Sequence, residues 1–165
     1  MERKTPSEPT TTGSVVAAAC FAAAVLATAL VGGAAAAESG DIYATLELPA
    51  WAPPSWLFSP VWIGLYVLIA VAGWLVWRAA GADGSAVFLT LYATQLLLNA
   101  AWTPLFFGFG LIGLALVDIS LLAVVVALTA WAARRHSTVA VWLFVPYLVW
   151  VLFAAALTLA IRLLN

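Results

Sequence analysis

Charge is scarce in this chain: Lys and Arg number 6 and Asp and Glu 7 among 165 residues, 8% together. A soluble domain carries about 25% charged residues, so there is too little charge here to cover a water-facing surface. The formal net charge of −1 excludes the basic footprint of a nucleic-acid binder and the polybasic patch of a membrane-surface module. Cys20 is the one cysteine and His136 the one histidine, which rules out an intrachain disulfide and any Cys/His metal cluster. Cys20 lies in an apolar run and reads as a small packing residue. His136 follows Arg134 and Arg135 and reads as a solvated loop residue. What the chain has instead is 66% hydrophobic residues, gathered in long runs rather than short alternations. Lipid is the solvent that fits.

A polar stretch over residues 1–12, with Pro6 and Pro9, reads as a disordered tail. Five apolar segments follow at residues 13–37, 55–77, 85–107, 110–133 and 138–164, each near the ~20 residues that span the hydrocarbon. The predicted fold is all-α: a polytopic membrane protein built as a five-transmembrane-helix bundle. Short connections place sequential helices side by side. Arg3 and Lys4, an apolar stretch and Ala35-Ala36-Ala37 before Glu38 also fit a cleaved secretory signal. A signal core runs ~7–15 residues and this stretch is longer, which favours a retained helix. Its Ala29/Gly33/Ala37 spacing is the small-xxx-small pattern of close helix approach. With five spans, Arg3, Lys4, Arg78, Arg134 and Arg135 share one side, against Arg162 on the other. For insertion into a cytoplasmic membrane, the basic-residue rule then puts the N-terminus in the cytoplasm and the first loop outside.

Polar and aromatic residues inside the spans carry the functional signal. Tyr92, Gln95, Asn99, Trp102 and Phe106 step by three and four along the third span, so they share one face. Two amides facing lipid would be costly, so that face should turn inward. Phe58, Trp62, Tyr66, Ile69 and Gly73 form a matching stripe in the second span, and Tyr147, Trp150, Ala154 and Thr158 another in the fifth. Three such faces suggest a cavity for a flat, largely apolar ligand; ordinary packing explains the same pattern. Trp74, Trp77 and Trp131 sit near helix ends beside Arg78, Arg134 and Arg135 and read as an interfacial belt. Asp118, inside the fourth span, needs a partner, and a structural hydrogen bond to a neighbouring helix fits better than a relay, since no second intramembrane acid or base accompanies it. The first loop contains Pro49-Ala50-Trp51-Ala52-Pro53-Pro54. Its prolines stiffen it, Ser55 is placed to cap the second helix, and Trp51, Pro53 and Pro54 suggest a lid; a loop stiffened for stability alone explains them almost as well.

Read in order, several motifs resemble those of the translocator protein family, also called tryptophan-rich sensory proteins or peripheral-type benzodiazepine receptors. They are Pro49-Ala50-Trp51-Ala52-Pro53-Pro54, Phe58-Ser59-Pro60-Val61-Trp62 with Leu65-Tyr66, and Gln95-Leu96-Leu97-Leu98-Asn99 with Trp102. Phe106-Phe107-Gly108, Ala115-Leu116-Val117-Asp118, and Pro146-Tyr147-Leu148-Val149-Trp150 with Phe153-Ala154 complete the set. The resemblance covers residues 43–165. It implies a bundle whose cavity binds porphyrins such as protoporphyrin IX, and sterols or synthetic ligands in some members; the family is often dimeric, so a homodimer is implied too. Carried over position by position, the ligand-binding residues are Trp62, Tyr66, Asn99, Trp102, Phe106, Trp150 and Ala154. Departures are Leu48 for the usual Lys, Ile42 for a Trp and Thr158 for an Asn. No Tyr lies between Leu157 and Arg162, so the sterol motif of animal members is broken and cholesterol binding is not expected.

The leading functional expectation is a porphyrin-binding membrane protein that senses, scavenges or regulates porphyrin, with no required cofactor and no catalytic or metal residues. A light-dependent porphyrin-degrading enzyme is the alternative, and a small-molecule transporter the second alternative. Catalysis would have to rest on the ligand's own photochemistry, because the chain shows no activated nucleophile or acid–base pair. Orientation is directly testable. In a Cys20→Ser background, a Cys introduced at Glu47 should react with an impermeant maleimide added outside intact cells. Labelling only after the cytoplasmic face is opened would reverse the topology.

Overall fold

The structure is a computed structural model that describes residues 10–36 and 39–165. Arg3, Lys4 and the Ala37–Glu38 junction, on which the tail and signal readings partly rest, lie outside the described residues. Six α-helices are present among the described residues: α1 (Thr11–Ala35), α2 (Ser39–Thr45), α3 (Phe58–Gly84), α4 (Ala86–Thr103), α5 (Ile112–Ala133) and α6 (Thr138–Leu164). Five of them, all but α2, are long and apolar enough to cross a membrane.

Local chemistry explains where the boundaries differ from expectation. The Thr10 hydroxyl accepts from the Gly13 N–H at 3.2 Å, an N-cap that starts α1 at Thr11 and shortens the polar tail. α3 runs past residue 77 through Arg78, whose guanidinium lies 5.4 Å over the Trp74 ring one turn back, and through the helix-favouring Ala79 and Ala80. It breaks at Gly81, whose φ of 66° is a conformation that side chains disfavour. The Ser85 hydroxyl then donates back to the Gly81 carbonyl. Ser55 begins a 3₁₀ turn, Ser55–Leu57, and its side chain does not cap α3, whose N-terminus has no side-chain cap. At the end of α4, Pro104 opens a π-turn over Pro104–Gly108, and the Phe109 N–H reaches the Pro104 carbonyl at 2.9 Å. Such single π-turns cluster at functional sites. Ser137 caps α6 by accepting from the Ala140 N–H at 3.2 Å.

Round the bundle the packing order is α1, α3, α6, α5, α4, closing back on α1. Sequential neighbours α3 and α4 therefore touch little, contrary to the side-by-side expectation, because α1 packs against both. Leu26, Leu30, Val67, Leu97, Val117, Leu121, Val124 and Val149 point outward, as a lipid-facing surface requires. The core holds Ile69, Val76, Phe88, Leu122, Val126 and Phe144. Trp74, expected in the interfacial belt, also ties α3 to α1: its indole N–H donates to the Ser14 carbonyl at 3.2 Å and hydroxyl at 3.1 Å. Trp131 keeps its belt character, with the Arg134 guanidinium 4.4 Å from its ring centroid. Asn165 clamps the first connection to the end of α6, accepting from the Glu47 N–H and donating to the Glu47 carbonyl, each at 3.1 Å. The first connection and the C-terminus thus share one end of the bundle.

The close approach in this bundle is at Gly73, not Gly33. A Cβ on Gly73 would lie 2.6 Å from Phe21 Cδ1 and 2.9 Å from the Tyr92 ring, whereas one on Gly33 would meet nothing within 4 Å. Overpacking of this kind costs about 1–3 kcal/mol. Gly73→Ala should lower the thermal midpoint in detergent. Gly64→Ala, in the same helix with open space around it, should hold or raise it. Equal midpoints for the two variants would contradict the packing.

Candidate ligand site

Buried amides in a helix that faces lipid must find partners within the protein. Asn99 on α4 finds two. It accepts from the Tyr66 hydroxyl of α3 at 2.9 Å and donates to the Tyr147 hydroxyl of α6 at 3.1 Å. Tyr147 in turn donates to Gln95 Oε1 at 2.8 Å. One α4 face thus fastens α3 to α6 through four side chains, and the stripes expected to face inward do so. Asn99 is 4% exposed and Gln95 and Tyr147 fully buried. With its hydrogen committed to Asn99, the Tyr66 oxygen is left as an acceptor on the cavity wall.

That wall belongs to a cavity of about 310 Å³ between α1, α3 and α4. From α3 come Phe58, Ser59, Trp62, Ile63 and Tyr66; from α4 and the π-turn come Asn99, Trp102, Thr103 and Phe107. α1 contributes only small residues, Ala29, Gly32, Gly33 and Ala36, which leave the room that larger side chains would fill. Ser39, Tyr43 and Ser55 close the end under the first connection. Tyr43 is fixed there by donating to the Pro53 carbonyl at 3.1 Å, and burial raises its hydroxyl above the ordinary tyrosine value, which keeps it a donor. Trp62 leans on Tyr66 with ring centroids 5.4 Å apart, and Trp102 stacks on Phe106 at 5.2 Å.

The expected residues divide into two groups. Trp62, Tyr66, Asn99 and Trp102 line this cavity together. Phe106 and Ala154 border a separate void of about 10 Å³ beside α6, and Trp150 lines neither, packing edge-on against Phe58 with centroids 5.9 Å apart. The reason for Phe106 is the π-turn: it adds a residue to that turn and brings Phe107 to the main cavity in its place. Trp51, Pro53 and Pro54 do not line the cavity. Trp51 rests edge-on against Phe153 at 5.8 Å, so the stiff loop covers the α6 end of the bundle, and α2 with Ser55 covers the cavity. Asp118 is 8% exposed, yet its buried Oδ2 has no hydrogen-bond partner; that oxygen does not make the expected bond to a neighbouring helix. Among the described residues no three His, Cys, Asp or Glu side chains come together as a metal site.

The sequence profile of the TspO/MBR family matches residues 18–164. The chain belongs to the TspO/MBR family. It is 44% identical to the translocator protein of Ovis aries over 117 residues, 70% of this chain and 69% of that one. Identity is also 44% with the tryptophan-rich protein TspO of Archaeoglobus fulgidus over 123 residues, 74% of this chain and 79% of the relative. With the tryptophan-rich sensory protein of Cereibacter sphaeroides it is 40% over 123 residues, 74% and 76% of the two chains. Membership makes this an integral, multi-pass membrane protein of the translocator and tryptophan-rich sensory type.

Several wall residues of this TspO/MBR chain lie off the polar and aromatic stripes. Phe107 is hidden by the π-turn, and the α1 residues by a helix with no polar stripe. Tyr43 sits in a short helix that apolar run lengths do not reveal. The hydrogen-bonded chain can be tested by thermal unfolding. Asn99→Leu strands the Tyr66 hydroxyl and should cost about 1–3 kcal/mol. Because the two act through one bond, Asn99→Leu with Tyr66→Phe should cost less than the sum of the single changes. Strict additivity would mean the bond contributes nothing.

Proposed function

We propose that the protein binds a tetrapyrrole, with protoporphyrin IX as the representative ligand, and senses, scavenges or regulates porphyrin within the membrane, its N-terminus in the cytoplasm. The observation that carries this reading is the cavity between α1, α3 and α4: aromatic walls from Trp62, Tyr66, Trp102 and Phe107, small residues on α1, a hydrogen-bonded polar pair at Tyr66–Asn99, and the hydroxyls of Ser39, Ser55, Ser59 and Thr103. A porphyrin is a wide π-surface with few polar edges. Each aromatic wall residue that meets it contributes about 0.5–1.5 kcal/mol beyond buried area, and the small residues of α1 give a flat ring a smooth opposite wall. The relative from Cereibacter sphaeroides carries a sensory name, which fits a ligand-reporting role.

Light-dependent porphyrin breakdown is a second reading, favoured by the Trp62–Tyr66 pair at the wall. Two oxidisable rings 5.4 Å apart stand where a photo-excited ligand could draw an electron. Titration of protoporphyrin IX into the purified protein distinguishes the readings: saturable tryptophan quenching in darkness is the signature of binding. Protein-dependent loss of the Soret band under light alone is that of breakdown. Trp62→Ala should weaken dark binding by about 2 kcal/mol or more, roughly thirtyfold in Kd. Trp131→Ala, at the interfacial belt, should leave Kd unchanged. Equal small losses at both positions, in folded protein, would mean that the porphyrin merely partitions onto an apolar surface.

A further inference from the structure

A volume of about 310 Å³ stands at the small end of the roughly 300–1,000 Å³ of ligand pockets, and a tetrapyrrole with its side chains needs more. A neighbouring void holds about one water's worth of space, so the added room has to come from the side chains that divide it from the cavity. The void of about 10 Å³ beside α6 is bounded on its far side by Ala154, Leu157, Thr158 and Ile161. Four residues border both spaces: Tyr43, Phe58, Trp102 and Phe107. The two spaces are therefore separated by a single layer of side chains.

We propose that Phe58 is the movable part of that layer, a partition that sets the size of ligand the site accepts. For a tetrapyrrole as the large ligand this rests on the function proposed above. The other three residues are anchored. Tyr43 is hydrogen-bonded to the Pro53 carbonyl, Trp102 is buried and stacked on Phe106 with an interplanar angle of 25°, and Phe107, half-buried like Phe58, is wedged inside the π-turn against two rings, 4.7 Å from Phe106 and 6.0 Å from Trp102. Phe58 is half-buried and held by edge-on ring contacts, to Tyr43 at 5.7 Å and to Trp150 at 5.9 Å. It is also the first residue of α3, directly after the Ser55–Leu57 turn, where no side chain caps the helix. A helix end of this kind adjusts more readily than a helix interior. Behind it stand the small Ala154 and the Trp150 ring, whose buried indole N–H has no partner. With Phe58 in place the cavity ends at this layer, and a small planar ligand fills the space between α1, α3 and α4. With Phe58 turned aside the two spaces join, and Trp150 and Ala154 become part of one longer site.

Size-dependent affinity tests the partition. Binding of 2-phenylindole, 1-aminopyrene and protoporphyrin IX would be measured in darkness by equilibrium dialysis of the full chain in micelles against empty micelles. Wild type, Phe58→Ala, Phe58→Leu and Phe58→Trp would be compared, with helix content checked by circular dichroism. The expected result is that Phe58→Ala raises the ratio of the 2-phenylindole Kd to the protoporphyrin Kd at least tenfold, Phe58→Leu raises it less, and Phe58→Trp lowers it. If Phe58→Ala fails to fold, the Leu and Trp variants still must move the ratio in opposite directions. A ratio unchanged across the folded variants overturns the partition. If protoporphyrin binds no form saturably while the ratio of 2-phenylindole to 1-aminopyrene still rises in Phe58→Ala, the partition stands and the tetrapyrrole reading falls.

Discussion

Asn99 is a primary amide in a helix that has lipid on its other side, and the hydrocarbon offers it nothing to bond. Its two bonds, to Tyr66 and Tyr147, are the constraint from which the rest of the bundle follows. They fix the rotation of α4 about its axis and set α3 and α6 at hydrogen-bonding distance from it. They also orient Tyr66 so that its ring and oxygen face the cavity. An all-apolar α4 could bury the same area, but it would not select one rotation so sharply. Polar residues in a membrane interior specify an arrangement more than they stabilise it.

With α4 fixed in this way, the space between α3 and α4 is not filled by their side chains. α1 closes that space with Ala29, Gly32, Gly33 and Ala36, while its upper turns pack tightly through Phe21 against Gly73 and Tyr92. Phe21 and Tyr92 meet edge to face at 5.2 Å. The same helix is thus close-packed at one end and spaced at the other. Away from the cavity the bundle is close-packed, at the Phe21–Gly73–Tyr92 end and along the contacts of α5 with α4 and α6.

The sequence made the spans and the inward faces legible because both are periodic and lipid is an unforgiving solvent. Gln95, Asn99 and Tyr147 could face nowhere else. The cavity's membership was only half legible, and the reasons are local. The π-turn at Pro104 replaces Phe106 with Phe107, which an unbroken helical period cannot anticipate. Trp150 and Ala154 lie on the predicted face but behind Phe58 and Trp102, a separation that depends on three helices at once. The α1 wall is made of residues chosen for being small, and small apolar residues give no signal in a run that is apolar throughout. Asp118 was expected to bond to a neighbour, and its buried Oδ2 does not. The loop prolines were read as a lid or as plain stiffening, and Trp51 rests on Phe153 rather than on the cavity wall.

The central claim is that the space between α1, α3 and α4 is a binding site and not a packing defect. An experimental structure of the protein with protoporphyrin IX bound tests it most directly. The account predicts ligand density in contact with Trp62 and Tyr66, with the Tyr66–Asn99 bond intact. Density confined to the outer surface, against exposed rings such as Trp56 or Trp142, with the cavity unchanged, would contradict it.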